Sequence, residues 1–247
     1  MPVDKSQLRV RRMFASIAPR YDRMNQLLTL GLDRYWRKRT VQSVPLIPDQ
    51  PVLDVCCGTG DLTLAWARRL GQNAVVLGTD FTHTMLMHAR DKSPGINETI
   101  HYVGADTLRL PCPDNRFQVV SAGFGIRNVG ETRRGLAEMT RVCGPDGHVV
   151  ILETSSPRWP VVRQLFGLYF NHVMPRIGRW LSPDPDAAYS YLAASSAEFP
   201  QGEAFAELMR EAGLVDVTVR PLTLGTVTVY VARKPGPRRD ERGDRID

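Results

Sequence analysis

Between Val52 and Leu70 an apolar run, a tight glycine turn and a helical pattern follow one another without a spacer. Val52 to Val55 reads as a short buried strand and Cys56-Cys57-Gly58-Thr59-Gly60 as the turn. Asp61 to Leu70 reads as the helix. Glycines let a backbone approach a ligand closely, and a helix N-terminus points unpaired N–H groups at it. The pattern then repeats. Strand candidates Val75–Thr79, Ile100–Val103, Gln118–Ala122 and Val149–Glu153 alternate with helix candidates Thr82–Lys92 and Glu131–Val142. Thr82 is placed to cap its helix. Such alternation predicts an α/β fold, a parallel sheet covered by helices on both faces.

The flanks differ from this core. Ser6 to Val44 reads as helical with a break near Pro19. Pro157 and Pro160 interrupt the alternation, and Val161 to Leu181 follows as an apolar, aromatic stretch expected to be helical and kinked near Pro175. A helix over Gly202–Ala212 should end at Gly213. Val215–Arg220 and Thr226–Ala232 are joined too briefly for a crossover, which predicts an antiparallel last pair. The tail after Lys234 has little to bury and is expected to be disordered.

The net charge of +6 is unevenly spread. Lys5, Arg9, Arg11, Arg12, Arg20, Arg23, Arg34, Arg37, Lys38 and Arg39 crowd the first helices. The simplest reading is a solvated helical face; the alternative is a surface for a membrane, nucleic acid or acidic ligand. The 4 cysteines show neither disulfide nor zinc spacing, which suits a reducing cytoplasm. No signal peptide or stretch of ~20 apolar residues is evident.

The carboxylates after the strands narrow the ligand. A dinucleotide fingerprint would carry a third glycine where Thr63 stands, and Asp54 at the end of the first strand would repel a pyrophosphate. Asp54 suits a cationic amino group instead, as in S-adenosylmethionine. Asp80, followed by Phe81, lies about 20 residues beyond the turn, where a carboxylate accepts from ribose hydroxyls. Asp106, in Gly104-Ala105-Asp106-Thr107, could accept from an adenine amino group. Acids at the carboxyl ends of three successive strands sit where open α/β sheets bind ligands.

Four stretches give the chain a family resemblance: Tyr21-Asp22-Arg23-Met24-Asn25 with Trp36; Asp54 to Asp61; Gly123-Phe124-Gly125-Ile126-Arg127-Asn128-Val129; and Arg141-Val142, Pro145-Asp146-Gly147 and Glu153-Thr154-Ser155. They resemble the C-methyltransferases of menaquinone and ubiquinone biosynthesis, the UbiE type, from about Val10 to Lys234. Where that family usually carries Ser and His this chain has Thr29 and Asp33, and where it carries Lys and Gly this chain has Gly144 and Asp146. The resemblance implies a class I S-adenosylmethionine-dependent methyltransferase fold, Rossmann-like. It has a seven-stranded, mostly parallel sheet, an antiparallel last pair and extra N-terminal helices. One domain is expected over 1–234, with a helical cap at 6–44, a cofactor-binding core at 45–155, substrate-side elements at 156–234 and the tail at 235–247.

The same resemblance implies cofactor contacts from Thr59, Asp80, Asp106, Thr107 and Gly123, beside Asp54, Gly58, Gly60 and Phe81 from the turn and strand ends. The implied reaction moves a methyl group to a ring carbon of a polyprenyl hydroquinone after loss of a hydroxyl proton. Demethylmenaquinol is the expected substrate and 2-polyprenyl-6-methoxybenzoquinol the alternative. Arg127 and Asn128, expected on the rim facing the methyl group, and Tyr21, from the N-terminal helices, are the catalytic candidates. Of the 5 histidines, His101 is expected in a strand, His148 in a turn, and His172 as a weak candidate base. The expected partners are the lipophilic quinol, the inner face of the cell membrane and a second copy of the chain. Neither nucleic acid nor a metal is expected. Pro111-Cys112 offers the pair used by some RNA methyltransferases, but it precedes the fourth strand. A dehydrogenase conflicts with Asp54 and Thr63, while a non-catalytic S-adenosylmethionine-binding protein remains the rival from another class.

Overall fold

The computed structural model describes residues 7–71, 75–93, 99–157, 159–169, 191 and 194–236. His172, the Pro175 kink, Trp180 and the tail beyond 236 lie outside the described residues. Strands run over Val52–Val55 (β1), Val76–Asp80 (β2), Ile100–Gly104 (β3), Phe117–Gly123 (β4), Cys143–Thr154 (β5), Val215–Leu222 (β6) and Val227–Arg233 (β7). They form one sheet in the order β3-β2-β1-β4-β5-β7-β6. β1 pairs in parallel with β2 and with β4, and β7 is antiparallel to both β5 and β6. The chain therefore reverses its direction of growth across β1 and β4. Ligands of open α/β sheets bind at the carboxyl ends beside such a switch.

Burial explains why the strands were readable as apolar runs. Every residue of β1 is buried, and β4 and β7 are buried but for one residue each. Helices cover both faces of these central strands, so alternation gives way to continuous apolar sequence. The edge strands β3 and β6 retain exposed positions. On one face Leu53, Val120 and Ile151 meet Leu136 and Met139 of the helix Thr132–Val142 (here α6), with Phe205 and Met209 of Glu203–Glu211 (here α8). On the other, Val52, Val119 and Val150 meet Trp66 of Asp61–Leu70 (α4) and Trp36 of Leu32–Val41 (α3).

The N-terminal segment forms α1 (Gln7–Ile17), a single 3-10 turn over Ala18–Arg20, and α2 (Tyr21–Leu28) before α3. The break at Pro19 is present, and a second one follows at Leu30 and Gly31, both at positive φ. α5 spans His83–Asp91, and α7 spans Pro160–Leu168. Thr82 is the N-cap residue of α5 but makes no side-chain cap bond. Its backbone N–H donates instead to Asp80 Oδ1 at 2.8 Å.

His148 corrects the sequence expectation: it lies inside β5, paired with Val119 and Arg233. Asp146 and Gly147 do bend the chain, and Asp146 has φ of 58°. The bend is a bulge rather than a connecting turn, since pairing jumps from Phe117↔Cys143 to Val119↔His148. Gly213, at φ 86°, closes α8 as expected, with the Leu214 N–H reaching back to Met209 O.

Candidate active site

The site begins with a carboxylate buried between β1 and α4. Asp54 is 0% exposed. Thr63 Oγ1 donates to its Oδ2 and Ser121 Oγ to its Oδ1, both at 2.7 Å. Trp66 Nε1 donates to Ser121 Oγ at 2.9 Å. Thr63 thus occupies the third-glycine position because its hydroxyl holds Asp54. Burial pushes the Asp54 carboxyl up to about 6, against the pull of the two hydroxyls and of the Arg37 charge.

The glycine turn is tied to the next strand. Gly58 N–H donates to Asp80 Oδ2 at 2.9 Å, and Cys57 N–H donates to Thr79 O at 2.9 Å. Burial raises the Asp80 carboxyl, while the N–H groups of Thr82 and Gly58 draw it back. Asp106 Oδ1 accepts from the Leu108 N–H at 2.9 Å. Thr107 is buried and its hydroxyl lies 3.2 Å from Cys56 Sγ. Burial pushes the Cys56 thiol up to about 12 and raises that of Cys57. Both stay protonated, so neither is a ready nucleophile.

After β4 the chain crosses directly over this turn. A Cβ on Gly125 would stand 2.3 Å from Cys56 Cβ, so only glycine lets the two loops touch. Cys56 and Phe124 hold positive φ of 50° and 57° on either side of that contact. A Cβ on Gly123 would meet Leu62 of α4 at 3.0 Å. Ile126–Asn128 then makes one 3-10 turn.

Two cavities meet here. The first, of about 920 Å³, is lined by Asp54, Gly58, Thr59, Asp80, Phe81, Asp106, Thr107, Gly123 and Asn128. The second, of about 870 Å³, is lined by Leu28, Thr29, Asp33, Trp36, Arg127, Tyr169 and Ser196, with others. Tyr21, Arg37 and Phe124 line both and form the wall between them. Gly60, at φ 82°, shapes the start of α4 rather than the lining.

The structure separates Arg127 from Asn128. Arg127 is only 6% exposed, so it is a buried group and not the rim residue expected from sequence. It is ion-paired with the fully buried Glu153 and lines the second cavity alone. Its Nε–H is buried and has no partner among the described residues. Asn128 lines the first cavity, and its Oδ1 is likewise buried and without a partner. Burial raises the Tyr21 phenol, so it stays neutral.

The helical cap is pinned over the first cavity by charge. Thr59 Oγ1 donates to Asp22 Oδ1 at 2.5 Å. Lys92 Nζ joins Asp22 and Asp61 at 2.7 and 2.6 Å. Arg37 pairs with Asp33 and reaches Asp61 at 3.3 Å. Burial alone would raise Asp61, but Arg37 and Lys92 hold it below the usual carboxylate value. Arg37 departs from the solvated face expected of the basic N-terminal residues. The signal that it turns inward was its Asp33 partner one helical turn earlier. Phe124, at the junction, had no sequence signal beyond its place in the Gly123–Val129 stretch.

The same architecture recurs in solved proteins. A SAM-dependent methyltransferase from Aquifex aeolicus superposes with a TM-score of 0.61 at 16% identity, covering 86% of this chain and 97% of that one. Haemonchus contortus phosphoethanolamine N-methyltransferase 2, in complex with phosphomonomethylethanolamine and S-adenosylhomocysteine, gives 0.58 at 15%, covering 83% and 52%. The fold is that of a class I S-adenosylmethionine-dependent methyltransferase. Among sequences, the demethylmenaquinone methyltransferase of Staphylococcus aureus strain JH9 is 38% identical over 225 residues, 91% of this chain and 92% of the relative. Residues 2–234 match the model of the ubiE/COQ5 methyltransferase family, and the chain belongs to that family.

The raised Asp54 carboxyl predicts pH-dependent binding of a cationic ligand. A carboxyl raised to about 6 is half ionised at that pH, so its attraction for an ammonium group strengthens as pH rises through that value and fades as pH falls. Calorimetric titration with S-adenosylmethionine should show affinity falling as pH drops from 7 to 5, with a proton released on binding in that range. Asp54→Asn should bind more weakly at pH 7 and lose the dependence.

Proposed function

We propose that this methyltransferase transfers a methyl group from S-adenosylmethionine to a ring carbon of demethylmenaquinol. The observation that carries the reading is the junction of the two cavities at Tyr21, Arg37 and Phe124. One cavity is rich in carboxylates and polar backbone; the other exposes mainly apolar surface, with Leu28, Trp36, Phe124 and Val227 among its walls. That division matches a charged nucleoside donor and a lipophilic ring acceptor. The S. aureus relative carries the oxidised form of this substrate, demethylmenaquinone, in its name.

The residues fit the donor. Asp54 meets its ammonium group, Asp80 its ribose hydroxyls and Asp106 its adenine amino group. Gly58 has open space where a side chain would stand, Asn128 keeps an unused acceptor, and Thr59, Phe81, Thr107 and Gly123 complete the lining. The bound cofactor supplies an electrophilic methyl on a sulfonium centre. The chain supplies position and field. Arg127, fixed by Glu153, borders the second cavity and positions a ring oxygen there. Tyr21, neutral and wedged between the cavities, orients the ring.

The substrate also implies a membrane surface. Leu8, Leu27, Leu30, Leu32 and Tyr35 are exposed on the N-terminal helices, among the exposed Arg11, Arg12, Arg23, Arg34, Lys38 and Arg39. Leu28 and Thr29, on the same helical turn, line the second cavity. An apolar rim with basic neighbours suits the inner face of an anionic bilayer. Among the described residues no helix is long and apolar enough to cross a membrane.

Transfer of a labelled methyl group to short-chain demethylmenaquinol tests the function, with 2-polyprenyl-6-methoxybenzoquinol as competitor. Faster turnover of the naphthoquinol is expected; no transfer to either quinol overturns the reading. Arg127→Lys keeps a charge for Glu153, whereas Arg127→Ala would leave a buried carboxylate unpaired at a cost of about 3–5 kcal/mol. The lysine variant should lose turnover at least about tenfold while cofactor affinity is kept. For the surface, vesicles containing anionic lipid should carry the protein upward in flotation at low salt and release it at high salt. Absence of binding at low salt would contradict the membrane contact.

A further inference from the structure

We propose that Asp33 is the proton acceptor for the ring hydroxyl during methyl transfer, an assignment that rests on the second cavity being the acceptor site. Among the described residues lining that cavity, Asp33 is the sole carboxylate and no histidine is present. Tyr21 and Tyr169 are phenols that burial keeps protonated. Arg37 and Arg127 carry guanidinium groups, which have donors only. The other polar lining groups are the amide of Asn25 and the hydroxyls of Thr29, Thr154, Ser196 and Thr226, none of them a base.

Asp33 is built into place. It lies in the first turn of α3, only 6% exposed, facing a cavity with Leu28, Trp36 and Phe124 in its walls. Arg37 Nη1 engages its Oδ2. Its Oδ1 lies 3.1 Å from Thr29 Oγ1, but that hydroxyl is closer, 2.7 Å, to Asn25 O. One hydroxyl carries one hydrogen, and the shorter contact takes it. Oδ1 is therefore the carboxylate oxygen with acceptor capacity to spare. Arg37, which also borders the first cavity and reaches Asp61, keeps the carboxylate oriented.

The chemistry suits a weak base. A phenol is far too weak an acid to surrender its proton to a carboxylate before reaction. As the ring carbon takes the methyl group, positive charge develops on the ring oxygen and its proton becomes more acidic than a carboxylic acid. A carboxylate is then base enough, and the transfer is concerted with methylation. The S–CH3 bond breaks, the C–CH3 bond forms and the sulfonium becomes a neutral thioether. The hydroxyl proton passes to Asp33 and leaves a neutral ring ketone. The hydrogen on the methylated carbon then departs to solvent as a proton. The ketone oxygen recovers a proton from Asp33, so one proton is released overall.

The test compares wild type, Asp33→Asn and Asp33→Glu on two acceptors. One is short-chain demethylmenaquinol; the other is an electron-poor naphthol already ionised at the assay pH. Asp33→Asn should lower kcat on the quinol by about 100-fold or more, with KM and S-adenosylhomocysteine affinity little changed. On the ionised acceptor, which has no proton to give, the wild-type to mutant ratio should fall close to one. Asp33→Glu, which keeps a partner for Arg37, should show the same dependence on the acceptor if the amide variant fails to fold. An equal loss on both acceptors would assign Asp33 a packing role and overturn the proposal, as would no loss on the quinol. Wild type that binds S-adenosylhomocysteine yet methylates neither acceptor would overturn the acceptor-site reading, and this proposal with it.

Discussion

The buried carboxylate of Asp54 sets the terms for everything around it. Withdrawing an ionised group from water costs several kcal/mol unless hydrogen bonds and charges replace the lost solvent. Thr63 and Ser121 supply hydroxyls, Trp66 fixes Ser121, and Arg37 supplies a distant charge. These offsets are incomplete, as the upward shift of Asp54 shows. A site left short of positive charge attracts a cationic ligand. The glycine turn, the position of α4 and the contact of Gly125 with Cys56 all follow from bringing backbone close to that point.

Charge also divides the site in two. Asp22, Asp61 and Lys92 seal the helical cap to α4 and α5, beside the first cavity. Glu153 and Arg127 form a second pair, buried, with Arg127 at the second cavity. Arg37 bridges the halves through Asp33 and Asp61. An ion pair that spans both cavities couples the alignment of donor and acceptor to one side chain. Positioning of this kind can supply much of the acceleration in a two-substrate transfer.

The parallel sheet and the limits of α4 were legible because the central strands are buried on both faces and so run apolar without a break. The antiparallel last pair was legible from its short connection. β5 was harder, since Gly144-Pro145-Asp146-Gly147 has turn chemistry yet makes a bulge inside the strand. The carboxylates that line the donor cavity were readable from their place at successive strand ends. The acceptor cavity was not, because it is assembled from α2, α3, the ends of β5 and β7 and the segment after α7. The burial of Arg127 depends on Glu153, 26 positions away, a distance no local pattern reports.

The proposed function puts donor and acceptor in adjoining cavities across Tyr21, Arg37 and Phe124. Diffraction from crystals grown with S-adenosylhomocysteine and short-chain demethylmenaquinone tests it most directly. The account predicts ribose density at Asp80, the amino group at Asp54 and the naphthoquinone ring in the second cavity, with a ring carbon facing the sulfur past Phe124. A ring bound elsewhere, or an adenosyl group away from Asp80, would contradict it.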